Sequence, residues 1–253
     1  MLSAMPHQNQ STPRTGAIAS GFFRRTAMTA LAALLFSGSS IAYAPPDLGF
    51  TTQVSANLIS QYTRRFGPAT PGRLGGWIGF AKEQQLSPYA RRLEAAKDSG
   101  ADMLQIVNDA INRRVKWEED RVHWGVEDYW ATPAESVGSA GGDCEDYSIA
   151  KYYLLKELGV PLARLRITYV RALKLNGQAH MVLAYYANPD AEPMILDNFD
   201  PRVRSASQRT DLDPVYSFND DELQLANGGA RARPSQIRAW LDLQLRLVAE
   251  SRT

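Results

Sequence analysis

The stretch of chain with the clearest chemical potential surrounds Cys144, the only cysteine among 253 residues. It reads Gly-Gly-Asp-Cys-Glu-Asp, so the carboxylates of Asp143, Glu145 and Asp146 flank the thiol. Negative neighbours raise the pKa of a thiol and make it a poorer nucleophile. A helix predicted to begin at Cys144 acts the other way, because free N–H groups at a helix N-terminus favour the thiolate. Cys144 is therefore either a reactive thiol or a small buried residue beside an acidic patch.

His180 and Asp197, which follow Cys144 in the chain, have the chemistry to activate such a thiol. A catalytic thiol needs a base, and the base needs a group that orients it. His180 falls on one predicted strand and Asp197 near the end of the next, and adjacent antiparallel strands can bring both side chains to one face. This order predicts a Cys-His-Asp triad. The alternatives are a hydrogen-bonded core histidine at 180 and a turn residue at 197.

The elements that must position these residues follow from the same region. Asp143 is a good N-cap, and Asp146 occupies the third helical position, as in a capping box. Gly159 and Pro161 end this helix. Three strands are predicted after it, at 165–173, 178–186 and 194–199, with a tight Asn-Gly turn between the first two. A helix followed by an antiparallel meander indicates an α+β fold, in which the helix that carries Cys144 packs on the sheet.

The rest of the chain gives weaker signals. The spacing of apolar residues predicts helices at 88–99, 101–117 and 234–250. Ile237, Trp240, Leu241 and Leu245 are predicted to form the buried face of the last helix. Segment 51–79 is rich in Gly, Pro, Ser and Thr and is predicted to be loop-rich, with loop at 64–77. Segment 118–142 has no clear period and is predicted to be a long structured loop of the kind that often carries function.

Composition and the N-terminus narrow the class of protein. The chain has 28 Lys and Arg against 27 Asp and Glu, which argues against a nucleic-acid partner. A single cysteine excludes an internal disulfide. Arg24-Arg25, the apolar run 27–36 and the Ala42-x-Ala44 pattern are typical of a secretory signal. We therefore predict a signal region at 1–44, and an exported domain at 45–253 that works in the periplasm.

The stretch around Cys144, the segment Ala-His-Met-Val-Leu-Ala-Tyr-Tyr around His180 and Ile-Leu-Asp-Asn-Phe around Asp197 together resemble the bacterial transglutaminase-like cysteine peptidases. Within that family the chain is most similar to the LapG-type periplasmic proteases. The resemblance covers roughly 66–245. It implies a papain-like or transglutaminase-like core, with Cys144 as nucleophile, His180 as general base and Asp197 as the group that orients it.

The resemblance also implies a cofactor and partners. LapG-type enzymes are calcium-dependent endopeptidases that cut the N-terminal region of large surface adhesins and so release biofilm. The periplasmic domain of an inner-membrane cyclic-di-GMP receptor sequesters and inhibits them. Position within the family assigns Asp143 and Glu145 as Ca²⁺ ligands, while Asp146 and Asp128 are added from charge and proximity. The stretch lacks the spacing of an EF-hand loop.

Other functions fit the same residues. An amine in place of water as acyl acceptor would make the protein a transglutaminase. A related cell-wall amidase would use the same triad, although the sequence shows no wall-binding repeat. A calcium-binding interaction module with an inactive thiol would bind the same partners without cutting them.

Overall fold

The computed structural model describes residues 54–87, 101–226 and 231–253. Its α-helices in chain order are α1 (Ala56–Phe66), α2 (Thr70–Gln85), α3 (Ala101–Arg114), α4 (Asp120–His123), α5 (Pro133–Ser139), α6 (Cys144–Glu157) and α7 (Arg238–Ser251). Its strands are β1 (Lys116–Trp117), β2 (Gly141–Gly142), β3 (Leu165–Ala172), β4 (Gln178–Tyr185), β5 (Met194–Leu196), β6 (Arg204–Ser205), β7 (Leu212–Phe218), β8 (Leu223–Leu225) and β9 (Arg231–Ala232).

Seven strands form one antiparallel sheet in the order β6-β5-β4-β3-β7-β8-β9. The predicted turn between β3 and β4 is present: Asn176 and Gly177 both have positive φ, which is the conformation that this residue pair tolerates best. β7, which lies beside β3, was not predicted, because Pro214 in its middle argues against a strand. The β3–β7 register shifts there, so the strand accommodates the proline at an irregularity in the ladder.

Helix α6 packs against this sheet and confirms the predicted α+β arrangement. Its apolar residues lie in the same core as Leu165 and Ile167 of β3 and Met181 and Leu183 of β4. The predicted capping box forms, with Asp143 as N-cap and Asp146 at the third helical position. β5 ends at Leu196, so it does not pair with the stretch of β4 around Met181. Helix α6 lies against that stretch of β4.

The segment predicted to be loop-rich is helical instead. Ser55 caps α1 through its side chain, and the first ten residues of α2, which include its four glycines, fall within 51–79. Leu74, Trp77 and Ala81 of α2 are completely or almost completely buried, so their packing outweighs the poor helix propensity of glycine. Tertiary contacts, which composition does not reveal, therefore decide this segment.

Several boundaries also differ from the prediction. The helix expected at 101–117 ends at Arg114 and is followed by β1. Segment 118–142 contains α4, α5 and β2, and β2 pairs in parallel with β1. The last helix begins at Arg238 and buries Trp240, Leu243 and Leu247. Leu241 and Leu245, predicted to be buried, are exposed, because the buried face follows Trp240, Leu243 and Leu247, and positions 241 and 245 point away from it.

Some predictions fall on residues outside the described ranges. These are the signal region at 1–44, the start of the following domain at 45, and the helix at 88–99. Among the residues that the structure describes, no helix is both long and apolar enough to span a membrane.

Candidate active site and acidic cluster

Cys144 is the first residue of α6, and the two glycines before it allow the chain to enter the helix there. A Cβ atom at Gly141 would overlap the ring of His123, and one at Gly142 would overlap the carboxylate of Asp146. The ring of His123 is held from both sides, by Glu118 Oε2 and by Ser139 Oγ, each at 2.8 Å. Close packing at positions 141 and 142 therefore requires glycine.

The thiol of Cys144 lies between its acidic neighbour and strand β4. Its Sγ donates to Glu145 Oε2 at 3.1 Å. Burial raises the pKa of this thiol well above its ordinary value, and the charges of Glu145 and Asp143 add to the effect. A backbone hydrogen bond from Met181 acts in the opposite direction. In this arrangement Cys144 is a protonated thiol and a weak nucleophile.

His180 and Asp197 form a buried pair, as the sequence predicted. His180 Nε2 lies 2.9 Å from Asp197 Oδ1, and both side chains are almost completely buried. Asp197 Oδ1 also accepts from the backbone N–H of Phe199 at 3.0 Å, and Oδ2 accepts from Arg209 Nη2 at 2.6 Å. Burial alone would raise the pKa of Asp197, but His180, Phe199 and Arg209 together hold it well below its usual range. Asp197 is therefore a carboxylate.

Arg209 was not identified from the sequence. It follows a 3-10 turn at Ala206–Gln208 and also binds Asp211, so it fixes Asp197 from outside the predicted triad. Nothing in its sequence neighbourhood distinguishes it from other arginines. Only the folded chain places it against the buried carboxylate.

The second nitrogen of His180 has no hydrogen-bond partner among the described residues. This atom, Nδ1, is buried, while Nε2 lies against Asp197. The thiol of Cys144 touches the backbone of Met181, the residue directly after His180. The structure thus brings Cys144 to the strand that carries His180, but among the described contacts the thiol donates to Glu145 and not to His180.

Five carboxylates gather at the N-terminal end of α6. Asp128, Asp143, Glu145 and Asp146, the four predicted metal ligands, share this cluster with Asp120. Oxygens of Asp120, Asp128 and Glu145 lie within 4.8 Å of one another, as do those of Asp120, Asp143 and Asp146. Asp120 was not predicted, although it belongs to the acidic run Glu-Glu-Asp directly after Trp117, and that run is the signal that was available.

The electrostatics of this cluster are those of an uncompensated acidic site. Burial, followed by the charges of neighbouring carboxylates, raises the pKa of Asp120 to about 7 and that of Asp143 to about 8. Burial likewise raises the pKa of Glu145 to about 7. Asp120 Oδ1 and Asp143 Oδ1 are both buried, and neither has a hydrogen-bond partner within the part of the chain that the structure describes. Unpartnered carboxylate oxygens at this density fit a hard divalent cation.

Asp146 differs from the other members of the cluster. Its Oδ1 accepts from the backbone of Ala131 at 2.7 Å and its Oδ2 from the backbone of Asp143 at 3.3 Å. Burial still raises its pKa well above the usual value. Both oxygens are thus engaged in holding the two segments that surround the cluster, which leaves Asp120, Asp128, Asp143 and Glu145 as the better ligand set.

Comparison with known proteins agrees with this geometry. Residues 75–217, more than half of the chain, match the family described as bacterial transglutaminase-like cysteine proteinase BTLCP. The chain belongs to this family. A search of curated protein sequences finds no match.

Solved structures of LapG from Legionella pneumophila are among those that match this chain. One is 36% identical, with a TM-score of 0.60, and the alignment covers 77% of this chain and 98% of LapG. An EGTA-treated form is 35% identical with a TM-score of 0.62, over 77% of this chain and 98% of LapG. A calcium-bound form is 35% identical with a TM-score of 0.59, over 77% of this chain and 99% of LapG. This bacterial transglutaminase-like cysteine proteinase therefore shares the LapG fold.

Proposed function

We propose that the protein is a calcium-dependent cysteine endopeptidase with Cys144 as nucleophile, His180 as general base and Asp197 as the residue that orients the base. The observation that carries the proposal is the buried His180–Asp197 pair, whose unpartnered Nδ1 belongs to the strand that the Cys144 thiol contacts. Family membership supplies the cysteine peptidase class.

The reaction is an acyl transfer through a thioester. His180 Nδ1 takes the proton of the Cys144 thiol, and the thiolate attacks the carbonyl carbon of the peptide bond. The backbone N–H of Cys144, at the N-terminus of α6, is suited to stabilise the negative oxygen that forms. His180 then returns the proton to the leaving amine. Water, deprotonated by His180, hydrolyses the thioester and restores the thiol.

The negative charge of the acidic cluster must be offset before the Cys144 thiol loses its proton readily. Asp120, Asp128, Asp143 and Glu145 would hold Ca²⁺, the ion named in one of the similar LapG structures. When bound, the ion supplies positive charge that offsets the carboxylates beside Cys144. With its charge offset in this way, Glu145 would stabilise the protonated thiol less, and the pKa of Cys144 would fall.

The substrate, partners and location follow the LapG resemblance. We propose that the substrate is the N-terminal region of a large surface adhesin, whose release controls biofilm, and that the periplasmic domain of an inner-membrane cyclic-di-GMP receptor inhibits the enzyme. We further propose that the protein is exported to the periplasm, a location that the signal-like pattern at 1–44 supports.

The test uses the chain from residue 45 onward with an adhesin N-terminal fragment, in calcium or in excess chelator. We expect one cut in calcium and none in chelator, with no cutting by Cys144→Ala. Cleavage that survives Cys144→Ala would reject the nucleophile, and cleavage that is equal in chelator would reject the calcium dependence. Adding a labelled primary amine tests transglutaminase activity, and purified peptidoglycan tests the amidase. Calcium-dependent binding without a cut by any preparation would favour the interaction module.

A further inference from the structure

Two exposed aromatic side chains lie beside the candidate catalytic histidine. Trp117 is 40% exposed and Phe199 48% exposed, although large apolar side chains are normally covered. Their ring centroids are 5.3 Å apart, so the two rings form one apolar surface, here called the aromatic wall. Exposed aromatic pairs of this kind are frequent at binding sites, where they supply contact area at a small entropic cost.

Phe199 connects the aromatic wall to the chemistry. Its ring stacks on that of His180 with a centroid distance of 4.4 Å and an interplanar angle of 12°. The backbone N–H of Phe199 also donates to Asp197 Oδ1. One face of Phe199 therefore covers the buried His180–Asp197 pair, while the rest of its side chain remains open to solvent.

Trp117 connects the same wall to the cysteine. It belongs to β1, which pairs in parallel with β2, and its Cα partner is Gly142. The backbone of Glu118 donates to the carbonyl of Gly142 at 3.0 Å. Gly142 is two residues before Cys144, so the backbone under Trp117 is tied to the segment that leads into the nucleophile. The aromatic wall thus spans from the cysteine segment to the histidine.

We propose that the aromatic wall binds an apolar side chain of the substrate, within the two residues that follow the cut bond. This inference rests on the proposed function. His180 delivers a proton to the leaving amine, so the surface stacked on His180 faces the leaving part of the peptide. An apolar side chain that covers Trp117 and Phe199 removes both rings from water, whereas a charged side chain there would lose its own hydration.

Contact between the aromatic wall and the peptide would determine which substrates the proposed enzyme selects. A wall that only shields the His180–Asp197 pair would affect the cleavage of every peptide equally. A wall that contacts the substrate affects peptides according to the residues after the cut bond. Trp117 separates the two roles better than Phe199, because its ring is in contact with Phe199 and does not stack on His180.

The experiment profiles cleavage of a peptide library prepared from a digested bacterial proteome, in calcium, by mass spectrometry. The proteins are the wild-type chain, Trp117→Ala, Trp117→Phe and Leu245→Ala. Leu245 is a matched control, since it is an apolar side chain 60% exposed on α7. Alkylation of Cys144 by iodoacetamide, followed in every variant, reports whether the nucleophile is intact.

We expect wild-type cuts to be enriched in apolar residues at the two positions after the bond. Trp117→Ala should lose this preference and lower kcat/KM for apolar peptides roughly ten-fold through KM, while Trp117→Phe and Leu245→Ala retain it. Alkylation should be unchanged. An unchanged preference in Trp117→Ala, or an equal loss of kcat for all peptides, would overturn the inference and leave the proposed function standing. A wild type that alkylates normally and cuts the adhesin fragment but no library peptide would overturn the inference alone, and one that cuts neither would reject both.

Discussion

Two regions of this protein bury carboxylates close to the reaction centre, and they treat them in opposite ways. Asp197 has both oxygens hydrogen-bonded, to His180, the Phe199 backbone and Arg209, and its pKa lies well below the usual range. Asp143, at the other side of the cysteine, leaves Oδ1 unpartnered, and its pKa rises to about 8. The same functional group is thus stabilised as an anion in one region and destabilised in the other.

The difference shows which region the chain completes by itself. Around Asp197, protein donors and one buried guanidinium provide the compensation that a buried charge requires. Around Asp120, Asp143 and Glu145, neighbouring carboxylates raise one another's pKa. A cation can stabilise a cluster of carboxylates that repel one another. The region around Asp197 is therefore suited to orienting His180, and the acidic cluster is suited to binding a cation.

The largest effect is expected from Asp197→Asn. This change leaves Arg209 buried without its anionic partner and replaces one carboxylate oxygen by an NH2 donor, so that only one of His180 and Arg209 keeps an acceptor. We expect the free energy of unfolding to fall by about 3–5 kcal/mol and kcat by roughly 10³–10⁴-fold. Urea unfolding and single-peptide kinetics measure the two losses. Asp211→Asn is the matched control, and a loss for Asp197→Asn no greater than for this control would break the comparison.

Asp143→Asn should behave in the opposite way. Without calcium it removes one of the repelling charges, so the protein should be as stable as the wild type or more stable. At a calcium concentration about 100 times the dissociation constant, the wild type should gain about 2.7 kcal/mol, and the variant should lose most of that gain. Thermal unfolding with calcium and with chelator checks this. Asp190→Asn, on an exposed loop, serves as the control. Strong destabilisation of Asp143→Asn in chelator would contradict the interpretation.

The pH dependence of stability should also separate the two regions. Asp120, Asp143 and Glu145 have pKa values of about 7, 8 and 7 in the folded state, above the value of about 4 for unfolded chains. The folded protein therefore binds more protons between these limits, and its stability should fall as pH rises from about 5 to 8 in chelator. Calcium should flatten this slope. Equal slopes in calcium and chelator, measured by urea unfolding across that range, would argue against a cation site.

The smallest effect is expected from Lys151→Met. Lys151 is fully buried on α6, its Nζ has no hydrogen-bond partner, and burial lowers its pKa to about 7 although Asp197 and Asp109 oppose this. The Lys151 ammonium keeps its proton more tightly in the unfolded chain than in the folded protein. The loss of stability caused by burying Lys151 is therefore largest below pH 7 and disappears as pH rises towards 10. The variant should be about 1 kcal/mol more stable at pH 7, with kcat nearly unchanged, since Asp197 is already compensated by Arg209. A large loss of kcat would show that Asp197 also needs Lys151.

Local signals were sufficient for the elements around the cysteine and histidine. The capping box at Asp143 and Asp146 and the Asn-Gly turn depend on neighbours in sequence, and both are present. The contact between His180 and Asp197 was also predictable, because adjacent strands in a meander have few possible registers.

Other elements and contacts depend on residues that are far apart in the sequence. Glycine content argued against α2, yet contacts of Leu74 and Trp77 with the core make it helical. Asp120 and Arg209 are 24 and 65 residues from Cys144 in the numbering. The acidic run at 118–120 is a weak signal for Asp120, but only packing brings Asp120 and Arg209 to their positions beside the reaction centre.

The sequence by itself determined the family, the α+β order and the residue types of the reaction centre, because these depend on a short motif and on local periodicity. Only the tertiary structure decided which charges are compensated. The Cys144 thiol donates to Glu145, Asp197 is paired with Arg209, and Asp120 completes the acidic cluster. The physical reason is that a pKa depends on burial and on charges within a few ångströms, and these distances are set by the fold and not by separation along the chain.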